Sequence, residues 1–420
     1  MPVIRSFLLS IATFTLLAAC TSSRTPDEGT AGHSFSSFVE DGVPVAVTSD
    51  VPKYPGELFA FEEEVRLHQD EANPESLLNR AFTFVRGDDG RYYVPDMGDC
   101  RIVVFDETGE YVQSIGRKGE GPGEFRSLIQ ITVRNGLIMA YDHQLNRSAV
   151  FATDGEFLEQ HRLPVTNSPE MFHIVQGIFP LAGDCLLIYG TEYDMSDREN
   201  QPMCDHITVL SAAGDTLSRM QGEWWSLGKQ VRVGTRGSAA THYYGPRSSL
   251  QYYEDSGLFA YNTAEPEMKW YDLEGNLQRI IRMDTEPEPV SDAERRGIER
   301  LLQQQVEESD DEWRAVREEA RRQTVIPEYK SYWSSVSVDD AGYVWIHRHT
   351  DYSQPDPYEY ATPRMLLSPE GEYLGEMTPP EGVASVCRGH MLVRREDEDT
   401  GEIQLLVYRM IPIREGFTYP

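Results

Sequence analysis

A glycine-rich stretch, GRKGEGPGEF at residues 116–125, has the residue types of a phosphate-binding loop. Such a loop places its Lys and a Ser or Thr after the glycines, and a helix follows whose amino end faces the anion. Here Lys118 precedes most of the glycines, Glu120 would repel a phosphate, and strand-like residues follow. The stretch is therefore predicted to be a structural turn. Its residues are Gly119, Gly121, Pro122, Gly123, Glu124 and Phe125.

Other signatures of chemistry are absent from the sequence. No GxSxG or HExxH motif occurs, so no catalytic residue is predicted. The formal net charge is −31, from 38 Lys and Arg against 69 Asp and Glu. Such a charge argues against a nucleic-acid partner, because a phosphate backbone needs a basic surface. The 22 Tyr and 33 Gly among 420 residues favour β structure.

An internal repeat organises the chain. YVPDMGDCRIVVFDETGEYV aligns without gaps on MAYDHQLNRSAVFATDGEFL, so that Asp96 matches Asp142 and Arg101 matches Arg147, each pair 46 residues apart. In weaker copies an apolar strand again ends in a glycine-containing turn, and another strand leaves in the opposite direction. One hairpin cannot bury both of its faces, whereas sheets arranged radially cover each other. Six units are centred on residues 82–118, 128–163, 173–221, 248–284, 335–378 and 384–412.

These units predict an all-β fold, a six-bladed β-propeller of four-stranded antiparallel blades over residues 57–412, followed by a tail over 413–420. The sixth unit has too few strands, and the strand candidate LFAFEEEVRL, residues 58–67, lacks a local partner. We expect this strand to join the sixth blade, because closure by both ends of the chain removes an open sheet edge.

The glycine turn resembles the GxxGxGPGEF turn of bacterial, often lipid-anchored, six-bladed propellers of the NHL-like and TolB-like kind. Asp96, Arg101, Phe105 and Gly109 also match that family. The resemblance covers most of the propeller and is strongest in the first two blades. Propeller enzymes generally place their reactive groups on inner strands around a central channel, whereas a binding propeller would use one of its mouths.

Related six-bladed lactonases and lyases hold a divalent cation in this channel. The resemblance implies candidate ligands at inner positions of this chain, namely His173, Glu192, Asn262, His347 and His349. Because these residues show no metal-ligand spacing, a divalent cation is expected only under this alternative, and otherwise no cofactor is predicted. His347 and His349 alternate with Arg348, so on a strand they would share one face.

Residues 291–323, between the fourth and fifth units, have helical spacing instead. Capping boxes at Ser291 with Glu294 and at Ser309 with Glu312 predict two helices that break near Asp310. The apolar face of this insertion covers either a binding pocket at one mouth of the propeller or a surface without a function.

Aromatic residues gather in the connecting segments. The candidates for ligand binding are Trp224, Trp225, Tyr243, Tyr244, Tyr332 and Trp333. Rings beside charged groups suit stacking on a sugar or capture of a peptide side chain. Packing between blades would use the same residues.

The amino terminus looks like a bacterial lipoprotein signal, in which Arg5 precedes a short apolar run and LAAC. In such signals cleavage precedes the Cys, here Cys20, whose sulfur carries diacylglycerol. We expect a signal peptide over residues 1–19 and a lipid-anchored flexible tether over 20–56. The bilayer would then be one partner, at the cell envelope, in the periplasm or at the outer membrane.

Cys185 and Cys204 lie on opposite arms of one predicted hairpin and form the favoured disulfide candidate, although buried thiols fit nearly as well. Three functions stay open. The favoured one is a binding module for a ligand or an envelope protein. The alternatives are a metal-dependent hydrolase or lyase with its site in the channel, and a purely architectural envelope protein.

Overall fold

A computed structural model of the chain describes residues 31–163, 168–181, 185–211, 213–233, 236–253, 257–358, 361–397 and 400–420. The predicted signal peptide and Cys20 lie outside these residues. Among the described residues, no helix combines the length and the apolar character that crossing a bilayer requires.

The described residues form 28 strands and two α-helices. The amino-terminal strands are β1 (Phe35–Glu40), β2 (Val43–Ser49) and β3 (Phe59–Arg66). Blade one contains β4 (Val85–Arg86), β5 (Tyr92–Asp96), β6 (Arg101–Phe105) and β7 (Tyr111–Ile115). Blade two contains β8 (Leu128–Arg134), β9 (Leu137–Asp142), β10 (Arg147–Ala152) and β11 (Phe157–Arg162). Blade three contains β12 (Met171–Leu181), β13 (Cys185–Asp194), β14 (Met203–Leu210) and β15 (Thr216–Gln221).

A separate hairpin, β16 (Gly228–Val233) and β17 (Arg236–Thr241), precedes blade four. Blade four contains β18 (Ser248–Tyr253), β19 (Gly257–Asn262), β20 (Glu267–Tyr271) and β21 (Leu277–Asp284). The helices α1 (Asp292–Glu307) and α2 (Asp311–Gln323) follow. Blade five contains β22 (Ser335–Val338), β23 (Val344–His347), β24 (Arg364–Leu367) and β25 (Tyr373–Met377). Blade six contains β26 (Val383–Cys387), β27 (His390–Glu396), β28 (Ile403–Pro412) and β3.

Both ends of the chain close the ring in blade six, which confirms the sequence prediction. β3 pairs antiparallel with β28, from Phe59 opposite Pro412 to Arg66 opposite Leu406. The amino-terminal strand thus covers what would otherwise be an open edge of a three-stranded sheet.

Apolar side chains fill each of the six interfaces between neighbouring blades. Successive strand residues point to opposite faces, so one strand serves two interfaces. In β27, Met391 and Val393 pack towards blade five, and Leu392 packs towards blade one. Each blade is therefore buried on both faces, and its stability depends on its neighbours.

The repeated Asp and Arg hold the loops that enter the first two blades. Asp96 accepts hydrogen bonds from the backbone N–H of Asn79 and Arg80, at 3.2 and 2.9 Å. Arg101 donates to the backbone oxygen of Leu77 at 2.8 Å. The matching Asp142 and Arg147 also bond to backbone atoms of the preceding loop. The repeat therefore preserves a structural clamp.

The glycine turn joins blades one and two. Gly116 and Gly123 have φ of 75° and 72°, a region that favours glycine. Glu124 accepts a hydrogen bond from the Gly121 N–H at 2.8 Å and pairs with Arg117, and Phe125 is buried between the two blades.

The predicted flexible tether is wrong for residues 35–49. β1 and β2 form a hairpin, and β2 pairs in parallel with β21, which extends blade four to six strands. The chain then follows blade five, where the Lys53 N–H donates to Tyr373 O at 3.0 Å. The sequence does contain alternating residues that favour a strand, Val43, Val45 and Val47. The surrounding Ser, Thr, Gly and Pro residues nevertheless led to the prediction of a tether.

The helices lie between β21 and β22, and Ser291 and Glu294 form the predicted capping box. The predicted second capping box, Ser309 with Glu312, is wrong, because Asp310 caps α2 by accepting a hydrogen bond from the Trp313 N–H. Ser309 instead donates a hydrogen bond to the backbone oxygen of Gln305, in the last turn of α1, at 2.6 Å.

Ring closure predicts a large effect of Leu58→Ala. Leu58 is fully buried between blades five and six, so its truncation should lower the free energy of unfolding by about 2–5 kcal/mol. Leu158→Ala, at a 45% exposed position in β11, should change it by less than about 0.5 kcal/mol. Denaturant unfolding measures both values, and equal losses would contradict this view of the closure.

Candidate functional site

A cavity of about 390 Å³ lies where the inner strands of all six blades end. Each blade contributes to its wall. Representative lining residues in blade order are Val85, Arg134, Phe179, Tyr253, Val338 and Val386. Most of these side chains are apolar, and the volume falls within the range of small-molecule sites, about 300–1,000 Å³. The propeller ring therefore builds one shared cavity.

Asp339 is a polar lining residue with a structural role. Its carboxylate accepts hydrogen bonds from Trp345 Nε1 at 2.8 Å and from the Tyr343 N–H at 2.9 Å. It also accepts from the hydroxyl of Tyr419 at 2.5 Å. Burial raises the pKa of Asp339, and these donors oppose the rise. Asp339 therefore ties blade five to the carboxyl-terminal segment.

The neighbouring Asp340 and Arg134 bring both signs of charge to the cavity. Asp340 accepts from the Arg388 N–H at 3.0 Å, and the Arg388 guanidinium pairs with Asp88 of the loop after β4. This network joins blades one, five and six at the same mouth. The cavity thus combines an apolar wall with a charged rim.

A chain of buried and partly buried hydrogen bonds fixes one side of this wall. Asp205 in blade three accepts from Ser249 Oγ at 2.7 Å, and Gln251 Nε2 donates to the same Ser249 Oγ at 3.1 Å. Tyr253 donates to Gln251 Oε1 at 2.5 Å and accepts from the Val338 N–H at 2.9 Å. Burial raises the pKa of Asp205. The chain links blades three, four and five through a residue that lines the cavity.

A second constellation, outside this cavity lining, contains two of the predicted metal ligands. His173 on β12 lies opposite Glu192 on β13, and its Nδ1 is 3.2 Å from Glu192 Oε1. His206 on β14 lies opposite Gly190 and joins them, and one possible ligand atom from each residue lies within 4.8 Å of the others. All three residues are buried.

Burial in this cluster favours the neutral form of both imidazoles. Burial, followed by the His173 charge, lowers the pKa of His206 to about 4. Burial also lowers the pKa of His173, and Arg219 adds to that shift. Arg219 pairs with Glu192, whose other carboxylate oxygen accepts from Gln221 Nε2 at 2.8 Å.

The other three predicted metal ligands lie elsewhere. Asn262 in blade four donates to Glu223 at 2.5 Å. His347 ends β23, so His349 lies beyond the strand, and the predicted shared strand face is wrong. His349 Nε2 is 2.8 Å from the Ser331 oxygen. Only His173 and Glu192 of the predicted set come together.

His206 was missed because its contribution depends on strand register. Its alternation with Cys204 on an apolar strand was visible, but the pairing of Gly190 with His206 was not. The same register corrects the disulfide prediction. Cys185 and Glu192 are seven residues apart on β13, and Cys204 lies opposite Glu192. The cysteines are thus roughly 23 Å apart along the strand, too far for a disulfide.

Most of the aromatic candidates pack inside the protein. Trp333 is buried between blades four and five with Tyr332 against it, and Tyr243 and Tyr244 are buried beneath α1. Trp225 lies in the segment between β15 and β16, and its backbone pairs with Met203 at the start of β14. Trp224 is 45% exposed.

The insertion packs on the β16–β17 hairpin through α2 and on the loop after β23 through α1. α1 contacts the loop after β23 so closely that a Cβ at Gly297 would overlap the Tyr352 oxygen. Tyr244 OH donates to the buried Glu294 at 2.9 Å, and Lys330 pairs with the same carboxylate. The insertion enters blade five at the start of β22, whereas the large cavity lies at its end. It is therefore no lid for that cavity.

Comparisons with known proteins agree with this architecture. Residues 74–206 match a family described as "6-bladed beta-propeller". A search of curated protein sequences finds no match. Among solved structures, a candidate exported protein from Bacteroides fragilis is 13% identical, with a TM-score of 0.50 over 88% of this chain and all of that one.

Two further solved structures are more distant. A Bacteroides vulgatus protein is 11% identical, with a TM-score of 0.49 over 85% of this chain and 99% of that one. Virginiamycin B lyase from Staphylococcus aureus, solved with quinupristin, is 9% identical, with a TM-score of 0.39 over 84% of this chain and all of that one. The chain is a six-bladed β-propeller, with the all-β fold predicted from its sequence.

Buried histidines predict a loss of stability in acid that His347→Asn should reduce. Burial, followed by the Arg364 charge, lowers the pKa of His347 to about 3, against about 6.5 when unfolded. The unfolded chain therefore takes up the proton first, so this stability is complete above pH 6.5 and is lost as the pH falls towards 3. The loss is up to about 1.4 kcal/mol per pH unit.

Urea unfolding between pH 7 and 4 measures this slope. The His347→Asn slope should be shallower than that of the wild type. His68→Asn, at an exposed side chain, is the matched control and should keep the wild-type slope. An unchanged slope in His347→Asn would contradict the assignment.

Proposed function

We propose that this chain is a lipid-anchored propeller outside the cytoplasm that binds a ligand in the channel cavity. The observation that carries the proposal is the 390 Å³ cavity, to which all six blades contribute. A rigid ring holds its wall in place, and a preformed site loses little entropy when a ligand binds. The proposed role is a binding module at the cell envelope.

The lining indicates the chemistry of the ligand. Phe179, Tyr252 and Val386 offer apolar and aromatic surface, and Asp340 lies among the lining residues with them. The formal charge of −31 also attracts cations over longer distances. We therefore expect an amphiphilic ligand with an apolar or aromatic body and a polar or cationic group.

The proposed anchor is compatible with an accessible cavity. Residues 21–34 separate Cys20 from β1 and can span at most about 50 Å. β1 and β2 extend the outer edge of blade four, away from the channel. An acyl chain on Cys20 would thus tether the propeller by one edge and leave its mouths open to water.

The alternative is a hydrolase or lyase with a metal ion in the channel. The predicted ligands that do meet, His173 and Glu192, are not among the residues that line the cavity. Asp339, which does line it, already holds Trp345 and Tyr419. Binding is therefore the function that the geometry supports better.

Ser385→Trp tests the cavity by filling it. N-phenyl-1-naphthylamine, a small aromatic amine, should bind the wild type at one saturable site with enhanced fluorescence. Because Ser385 lines the cavity, the added indole should weaken binding by at least tenfold. Ser218→Trp, on the exposed strand β15, is the matched control and should bind as the wild type does. Equal affinity in both variants would contradict the proposal.

Cys20→Ser tests the anchor. The variant has no thiol for acylation, so the protein should move from the membrane fraction to the soluble extract. Cys387→Ser, within β26, should leave the membrane fraction unchanged. Fractionation followed by immunoblotting measures both, and membrane retention of Cys20→Ser would overturn the lipoprotein assignment.

A further inference from the structure

The face of blade three that packs against blade two is unusually polar at one end. His173, Glu192 and His206 lie on this face, and Val175 and Ile188 of the same face pack with Met139 and Tyr141 of blade two. Directly paired residues of antiparallel strands share a face, so three neighbouring strands each contribute one group. From this cluster we propose a binding site for one divalent transition-metal ion of the zinc class.

The donor set matches that class of ion. Two imidazoles and one carboxylate suit Zn²⁺, Co²⁺ or Ni²⁺, whereas Ca²⁺ and Mg²⁺ prefer oxygen ligands alone. Ligands about 2.0–2.1 Å from a tetrahedral ion lie about 3.3 Å from each other. The 3.2 Å from His173 Nδ1 to Glu192 Oε1 already fits. The two ligand atoms that are farthest apart, at no more than 4.8 Å, would have to move up to about 1.5 Å closer together when the ion binds.

His206 Nε2 is the atom that points most clearly to a ligand. The residue is 2% exposed, and this nitrogen has no hydrogen-bond partner among the described residues. Buried polar atoms are rarely left in this state. Its other nitrogen, Nδ1, is 3.4 Å from Thr208 Oγ1. If Nδ1 donates to that hydroxyl, Nε2 presents a lone pair, as a metal-binding histidine requires.

Gly190 keeps the space beside this nitrogen open. It lies opposite His206 in the sheet, and a Cβ there would be 3.2 Å from Nε2 and 2.6 Å from the Ile174 oxygen. Any larger residue would press on the imidazole. Gln221 Nε2 holds the far carboxylate oxygen of Glu192 at 2.8 Å, which orients the nearer oxygen towards the histidines.

Arg219 occupies the position of a competing cation. Its guanidinium pairs with the Glu192 oxygen that faces His173, and 40% of its side chain is exposed. A long, half-exposed side chain can swing into water, so a metal ion would displace it from Glu192. The bound ion would join β12, β13 and β14 as a structural cross-link, since all three ligands are buried.

Zn²⁺ titration of the full-length protein, purified in detergent and treated with chelator, tests the proposal. The wild type should bind one equivalent, its melting temperature should rise, and Ca²⁺ should have no such effect. Co²⁺ should give the visible absorption of a four- or five-coordinate site. His206→Gln should weaken Zn²⁺ binding at least tenfold. His347→Gln, at a histidine outside the cluster, should bind as the wild type does.

Arg219→Gln keeps the proposal testable if His206→Gln does not fold. This change at a part-exposed side chain removes the competing cation, so it should tighten Zn²⁺ binding severalfold. The absence of saturable binding in the wild type would overturn the proposal. So would equal affinity in His206→Gln and His347→Gln, or no gain in Arg219→Gln. The cavity-filling variant Ser385→Trp should bind Zn²⁺ normally, which separates this site from the proposed ligand cavity.

Discussion

The pairing of β3 with β28 is the constraint on which the rest of the structure depends. Each blade buries both of its faces against neighbours, so no blade has a complete core of its own. Without β3, blade six would end at β28, and an edge would remain open. By joining residues near the two ends of the chain, this pairing makes six weakly stable sheets one body.

Closure also explains where the candidate sites lie. The inner strands converge on one cavity only because the closed ring fixes the position of every blade. The chain of hydrogen bonds from Asp205 to Val338 holds three of these blades in alignment. The cluster of His173, Glu192 and His206 depends on the pairing of strands within blade three, not on the arrangement of blades around the axis. Binding in the channel and metal binding in blade three are therefore separate properties of one scaffold.

The sequence predicted features that repeat or that depend on neighbouring residues. The 46-residue spacing of Asp96 and Asp142 predicted the blades, and Ser291 with Glu294 predicted the start of α1. Features that depend on strand register or on long-range packing could not be predicted from the sequence. His206 joins its cluster only through pairing with Gly190, and Trp333 packs inside because blades four and five meet there. The β1–β2 hairpin was missed because Ser, Thr, Gly and Pro surround its valines and because the strand on which it packs, β21, is more than 200 residues away.

Hydrogen–deuterium exchange of the full-length protein tests the closed ring most directly. Peptides from β3 and β28 should exchange equally slowly, at the rate of the strands inside the blades, because both strands open only when the whole propeller unfolds. Fast exchange in β3 beside slow exchange in β28 would contradict closure, and with it the account of the cavity that the ring encloses.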